Sequence, residues 1–237
     1  MMSPVTDPLF QQDAYLRECS AQVVEAGSDG VVLDRSVFYP LGGGQPGDTG
    51  LLRAADGRAW RVVDTRKGEG GRILHKLEPG VTAPGVGETV TAIIDWDRRH
   101  AHMRMHTALH LLGSVLRHGV TGGQIGAERS RLDFDTQEEI DKDRVTEAVN
   151  ALVAANREVR SRWITDEELD RQPELIRTMS VQPPRGVGRI RLLDIDGVDL
   201  QPCGGTHVAA TGEIGQVIVT KVESKGRRNK RVYLSPA

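Results

Sequence analysis

Aromatic residues make up only 4% of the 237-residue chain, so a core must rest on Val, Leu, Ile and Ala. No apolar run approaches the ~20 residues of a membrane-spanning helix, which excludes a helical membrane protein. The start, MMSPVTDPLFQQDAYL, lacks the basic-then-apolar pattern of a secretion signal, and the expected location is the cytoplasm. The two cysteines, Cys19 and Cys203, are too few for a disulfide scaffold. In a reducing compartment no bridge between them is expected, so Cys203 needs another explanation. A surplus of positive charge is also missing. The net charge of −2 argues against binding nucleic acid over the whole surface, while leaving room for local basic patches.

What is there is ordinary for a globular protein: 38% hydrophobic and 27% charged residues, in a length that suits one large domain or two small ones. The character of the sequence changes near Trp96. Before it lie short alternating runs such as Val31-Val32-Leu33, Ala59 to Val63 and Thr89 to Ile94. Asp29-Gly30, Gly42-Gly43-Gly44, Asp56-Gly57, Gly70-Gly71 and Pro84-Gly85 supply dense turn signals. This pattern predicts an antiparallel sheet or small β-barrel over residues 1–96.

After Trp96 the period lengthens. Ala101, Met105, Ala108, Leu112 and Val115 recur at three- and four-residue steps, which predicts a helix from Arg98 to about His118, stopped by Gly119. Thr136, with Glu139 three residues on, reads as a capping box opening a second helix that buries Ile140, Val145, Val149 and Leu152. Arg160 to Ile164, Ile190 to Ile195, Val217 to Val222 and Arg231 to Leu234 read as strands. Residues 97–237 are thus expected to form an α+β domain of helices and antiparallel sheet. No internal repeat is present.

Chemistry concentrates at two places. His106 and His110 are four apart on the first helix, so their rings stand one turn above each other and can reach one cation. His102 lies a further four before His106, and spacing alone does not choose between the pairs. The second place is Gln201-Pro202-Cys203-Gly204-Gly205-Thr206-His207, where a Gly-Gly lets the backbone turn so that thiolate and imidazole converge. Two helical histidines with a distant Cys and His make a tetrahedral set suited to Zn2+. A satisfied core histidine and an inert buried thiol are the plainer alternatives for any one of these residues, but not for the four together. A closed Cys/His3 shell is the structural type of zinc site, whereas a catalytic zinc keeps a position open. A protease is excluded: its general-base glutamate would follow the first histidine, and Thr107, Ala108 and Leu109 stand there instead.

Arg104 to Leu112 (RMHTALHLL) and Cys203 to Val208 (CGGTHV) resemble the editing domain of alanyl-tRNA synthetases, and still more closely their free-standing relatives, the AlaX proteins. Phe38 to Gly50 (FYPLGGGQPGDTG), Gly122 to Gly126, Ser130 to Phe134 and Ser224 to Asn229 also fit, in the expected order, so the similarity extends over most of the chain. The resemblance implies an N-terminal β-barrel followed by a zinc-binding α+β editing domain. It implies zinc on His106, His110, Cys203 and His207, with His102 outside the shell. It places Gln124 in the editing pocket, where a bare reading would make it a turn residue. Asp199, four before Cys203, is a candidate to orient a ligand imidazole, and reads equally as a solvated carboxylate at a strand end. Gly42, Gly43 and Gly44 can approach tRNA closely because no side chains intervene, although such a triplet alone reads as a turn. Lys221, Lys225, Arg227, Arg228, Lys230 and Arg231 have only Glu223 among them to offset their charge. In a tRNA-binding family that run is expected to contact phosphates.

The implied activity is a zinc-dependent aminoacyl-tRNA deacylase, a carboxylic ester hydrolase that clears seryl-tRNA(Ala), and glycyl-tRNA(Ala) as a second substrate. A pocket that must satisfy a hydroxyl can reject the analogue lacking it by ~10⁴-fold, which favours serine over alanine; Thr107 and Gln124 are the candidates to meet that hydroxyl. The length leaves no space for an amino-acid-activating module. The rivals are a non-catalytic tRNA-binding module with a structural zinc, and a zinc hydrolase for a small ester, which would have no use for the basic run.

Overall fold

Along Thr89–Ile94, Val90, Ala92 and Ile94 are buried and the residues between them are more exposed. Side chains on a strand alternate between faces, so this period of two commits one face to a core. The computed structural model describes residues 5–176, 178 and 188–237. The first unit, Met1–His100, comprises β1 (Asp7–Pro8), β2 (Glu18–Gly27), β3 (Gly30–Leu33), β4 (Arg35–Ser36), β5 (Gly50–Ala54), β6 (Ala59–Lys67), β7 (Ile73–Leu77) and β8 (Thr89–Ile94); the same alternation marks β5 and the start of β6, whereas β3 is buried throughout. Six of these close an antiparallel barrel in the order β2-β3-β7-β6-β5-β8, which removes the free edges of the sheet. The short strands β1 and β4 pair in parallel beside it. Val23, Val31, Leu33, Phe38, Leu52, Trp60, Val62 and Val90 fill the interior, mostly aliphatic as the composition requires. Strand β6 runs on to Lys67, past the Val63 at which the hydrophobic pattern fades.

The glycine-rich segment between β4 and β5 is folded around a buried ion pair. The Asp48 carboxylate accepts from the Tyr39 amide at 2.6 Å and from the Arg99 guanidinium, which also donates to the carbonyls of Ala14 and Val37. Gly47 packs so tightly here that an added Cβ would lie 2.2 Å from the Thr65 carbonyl oxygen.

The second unit, Ala101–Ala237, begins inside helix α1 (Trp96–Leu116). It continues through β9 (Val120–Gln124), β10 (Ser130–Asp135), α2 (Lys142–Ala154), β11 (Val159–Ile164), α3 (Asp166–Asp170), β12 (Ile190–Ile195), β13 (Asp199–Pro202), β14 (Val217–Gly226) and β15 (Asn229–Pro236). Four strands form one sheet, β14-β15-β10-β9, and three form another, β11-β12-β13. Helix α2 covers the edge of β14: the Asn150 side chain exchanges hydrogen bonds with both backbone groups of Val217, and the Thr146 hydroxyl accepts from the Val219 amide. The architecture is the expected mixed α+β, and no helix among the described residues is long and apolar enough to cross a membrane.

Three local expectations change. Helix α1 ends at Leu116 rather than near His118, because Arg117 adopts a left-handed φ of 54° and stops the helix before Gly119. Helix α2 is capped by Asp141, whose side chain accepts from the amides of Asp143 and Arg144, and not by Thr136. Thr136 instead accepts from the Glu138 amide in the preceding turn, which leaves Ile140 outside the helix and half-buried.

Candidate metal centre

Helix α1 presents His106 and His110 one turn apart, and both are buried, as is His207. The β12–β13 hairpin delivers the other ligands. Ile195 pairs with Asp199 at its closed end and Leu192 with Pro202 at its open end, so Cys203 leaves the sheet at a defined point. Arg191 then holds the loop in shape: its carbonyl accepts from the Cys203 amide at 3.1 Å, and its guanidinium donates to the carbonyls of Cys203 and Gly205 at 2.9 and 2.8 Å. The sequence offered no sign of this arginine beyond its place on a strand.

The four candidate ligand atoms of His106, His110, Cys203 and His207 all lie within 4.8 Å of one another. Cys203 Sγ is 3.2 Å from His207 Nε2 and 3.6 Å from His106 Nε2. Tetrahedral zinc with its usual bonds to sulfur and imidazole nitrogen separates such a pair by about 3.5 Å. The ligand atoms are also freed from behind. Thr107 donates its hydroxyl hydrogen to the Met103 carbonyl at 2.9 Å, so the contact at 3.3 Å with His207 Nδ1 requires the imidazole to donate there and leaves Nε2 with its lone pair toward Cys203. His110 Nδ1 likewise donates to Asp199 Oδ2 at 2.9 Å, and the Gln201 amide donates to the same oxygen at 2.6 Å. Burial opposes a charged Cys203, but the neighbouring imidazoles of His106 and His207 outweigh it and hold the thiol well below its ordinary range. A cysteine sulfur and imidazole nitrogens facing one another at such distances form a donor set that a cation reconciles. His102, one turn before His106, is buried but stands outside this group. Both cysteines are free thiols.

Thr107 is fully buried, and its oxygen also accepts from the Val208 amide at 3.3 Å. Its hydrogen goes to Met103 and its oxygen is approached by two donors, one of them His207. Gln124 is no turn residue: it lies exposed at the end of β9, its side-chain oxygen 3.4 Å from Arg131 Nε. Gly42 bonds back to Gln45 in both directions, while Gly43 and Gly44 take φ of 56° and 81°, so the triplet builds a tight turn whose last two members are exposed.

The basic run has more acidic partners than its own stretch of sequence contains. Lys221 and Lys225 pair with Glu223, but Arg228 pairs with Asp135 and Arg231 chelates Asp133, both from the neighbouring strand β10. Lys230 donates to the Ser224 hydroxyl at 2.9 Å, and Arg227 stands exposed at the turn.

Fold and site together define a mixed α+β protein of the synthetase editing-domain type. Residues 11–98 match the family of class II (A) tRNA synthetases, and residues 190–233 match the second additional domain of threonyl and alanyl tRNA synthetases. The alanyl-tRNA editing protein AlaX-M of Methanosarcina mazei is 38% identical over 98% of this chain and 96% of its own length. Its counterpart from Saccharolobus solfataricus is 36% identical over 97% and 98%. The alanine–tRNA ligase of Pyrococcus furiosus is 37% identical over 93% of this chain, but the match occupies only 24% of the ligase. The chain belongs to the AlaX family of alanyl-tRNA editing proteins.

Proposed function

We propose that this protein is a cytoplasmic trans-editing hydrolase that binds mischarged alanine tRNA and cuts the ester joining serine, with glycine as a second substrate, to the terminal ribose. The observation that carries the reading is the buried Cys/His3 group, with a backing acceptor behind two of its imidazoles, in a chain of the editing family. His106, His110, Cys203 and His207 would hold zinc. When bound, zinc supplies a fixed positive charge that polarises an ester carbonyl or anchors a substrate hydroxyl or amino group. Asp199 and Thr107 orient the imidazoles of His110 and His207. An aminoacyl ester is already activated, so the chain needs chiefly to position the carbonyl, admit one water and discriminate. Gln124, exposed at the end of β9, is the residue we assign to the serine hydroxyl; alanine would leave its amide unmatched. The exposed turn at Gly43 and Gly44 and the basic hairpin around Lys225, Arg227 and Lys230 are the proposed tRNA contacts.

Loss of radiolabelled amino acid from preformed seryl-, glycyl- and alanyl-tRNA(Ala) tests this. Serine should leave at least ~10²-fold faster than alanine, and His106→Ala and Gln124→Ala should each slow its release. Equal rates for serine and alanine would defeat the selectivity. A second reading, a tRNA-binding module with a structural zinc, is favoured by the closure of a four-ligand shell. Tight binding of all three tRNAs with release from none would establish it.

A further inference from the structure

A groove of about 330 Å3 in the second unit is lined by Gln124, Arg129, Ser130, Arg131, Arg231 and Tyr233. Sheet register explains the cluster. Arg131 pairs with Gln124 on one side and Tyr233 on the other, so those three share a row across β9, β10 and β15. Asp133 pairs with Arg231 in the next row on the same face, and Arg129 stands two residues before Arg131. Three arginines thus line the groove, and two of them share one carboxylate. Asp133 accepts from Arg131 at 2.7 Å and from Arg231 at 2.7 and 2.8 Å, bracing both in fixed orientation. Each guanidinium has five N–H donors, so most of their capacity remains directed elsewhere. Arg129 pairs with no carboxylate among the described residues, and its guanidinium carbon stands 3.8 Å from the centre of the Tyr233 ring. The turn that carries it is pinned: Ser130 Oγ accepts from the Gly126 amide and donates to the Gly126 carbonyl, both at 3.0 Å. A Cβ on Gly126 would fall 2.5 Å from the Arg129 carbonyl oxygen, so only glycine fits there. No part of this groove belongs to the metal group.

From the braced arginine row we propose that this groove binds the phosphodiester backbone of the single-stranded 3′ end of the tRNA, with Arg129 and Arg131 as phosphate ligands. The inference rests on the editing reading, since it supplies the end of the strand to Gln124, the residue assigned to the amino acid. A lone anion needs one clamp. Several guanidiniums lining one groove can instead engage successive phosphates of a chain. Preorganisation by Asp133 and Tyr233 lowers the ordering cost that flexible surface cations carry.

The test uses the full-length protein and an uncharged acceptor minihelix of tRNA(Ala), with and without its single-stranded 3′ tail, in a salt titration of binding. Arg129→Gln and Arg131→Gln should each weaken binding of the tailed minihelix about 5- to 10-fold and reduce the salt slope by ~0.7. Removing the tail should cost the wild type a similar factor and the variants little. Arg129→Lys should keep the salt slope and recover part of the affinity. Arg129 is exposed, so its variants are expected to fold, and thermal melting checks this. Unchanged affinity and slope in Arg129→Gln would overturn the proposal, as would equal loss on tail removal in wild type and variants. If millimolar inorganic phosphate empties the groove of tailed minihelix, the site takes a free anion and the proposal also fails. None of these readouts needs turnover, so a wild type that binds the tail through Arg129 but releases no amino acid would sink only the editing reading.

Discussion

His75 is fully buried in the barrel unit, between Val31 and Ser36. Its Nδ1 donates to the Val31 carbonyl at 3.0 Å, and its Nε2 accepts from the Ser36 hydroxyl at 2.8 Å, while Ser36 Oγ accepts from the Phe38 amide. Burial pushes its pKa down from 6.5 to about 4, against a small opposing pull from the Val31 carbonyl. The sign follows from proton uptake. Between those values the unfolded chain binds a proton that the folded barrel refuses, so the contribution to stability is complete above about pH 6.5 and is lost as pH falls toward 4. The loss amounts to about 3 kcal/mol. Urea unfolding at pH 7 and pH 4.5 should show this acid weakening in the wild type and much less of it in His75→Gln. Identical pH slopes for the two proteins would remove His75 as its cause. The metal residues were readable only as a group of four, since a core histidine or a buried thiol is the plainer reading of each alone. His75, Arg99 and Arg191 were not readable. Their roles depend on carbonyls brought from distant stretches of chain, and a single histidine or arginine in a sequence carries no mark of what will surround it.

Elements were legible by their period and misread at their ends. Thr136 with Glu139 satisfies the capping-box pattern, yet Asp141 offers an equal cap five residues on. The choice falls to Asp141 because Val145, Val149 and Val153, spaced by four, are the residues that α2 buries. Asp141→Ala should therefore lower stability by about 1 kcal/mol in denaturant unfolding, and Thr136→Ala by clearly less. The reverse order would restore Thr136 as the start. At the other end of the unit, the alternation in β14 and β15 announced a hairpin and its positive charge. It could not announce that β10 would pair with β15 and lay Asp133 and Asp135 beside Arg231 and Arg228. Local sequence counts the charges on a strand, whereas the neighbour that neutralises them is chosen by sheet order.

For the whole molecule, the two units are expected to respond differently to loss of metal. If zinc sits on His106, His110, Cys203 and His207, every ligand comes from Ala101–Ala237. Metal that binds only the folded form adds its binding free energy to stability. Chelation should then reduce hydrogen-exchange protection along α1 after His102, in β13 and through Val208, and leave amides of β2, β5 and β8 at their original values. No change anywhere, or an equal change in the barrel, would remove zinc as the organising ion. By itself the sequence determined the barrel-then-α+β order through its periodicity and the family through its motifs, and the family resemblance, not spacing, singled out His106 and His110 over His102. Only the tertiary structure decided that Thr107 stands against His207, that Asp199 backs His110, and that Arg129, Arg131 and Arg231 share one groove. Those facts depend on which strands and helices become neighbours, and that is settled by burial and hydrogen-bond closure over the whole unit, not by any local stretch of residues.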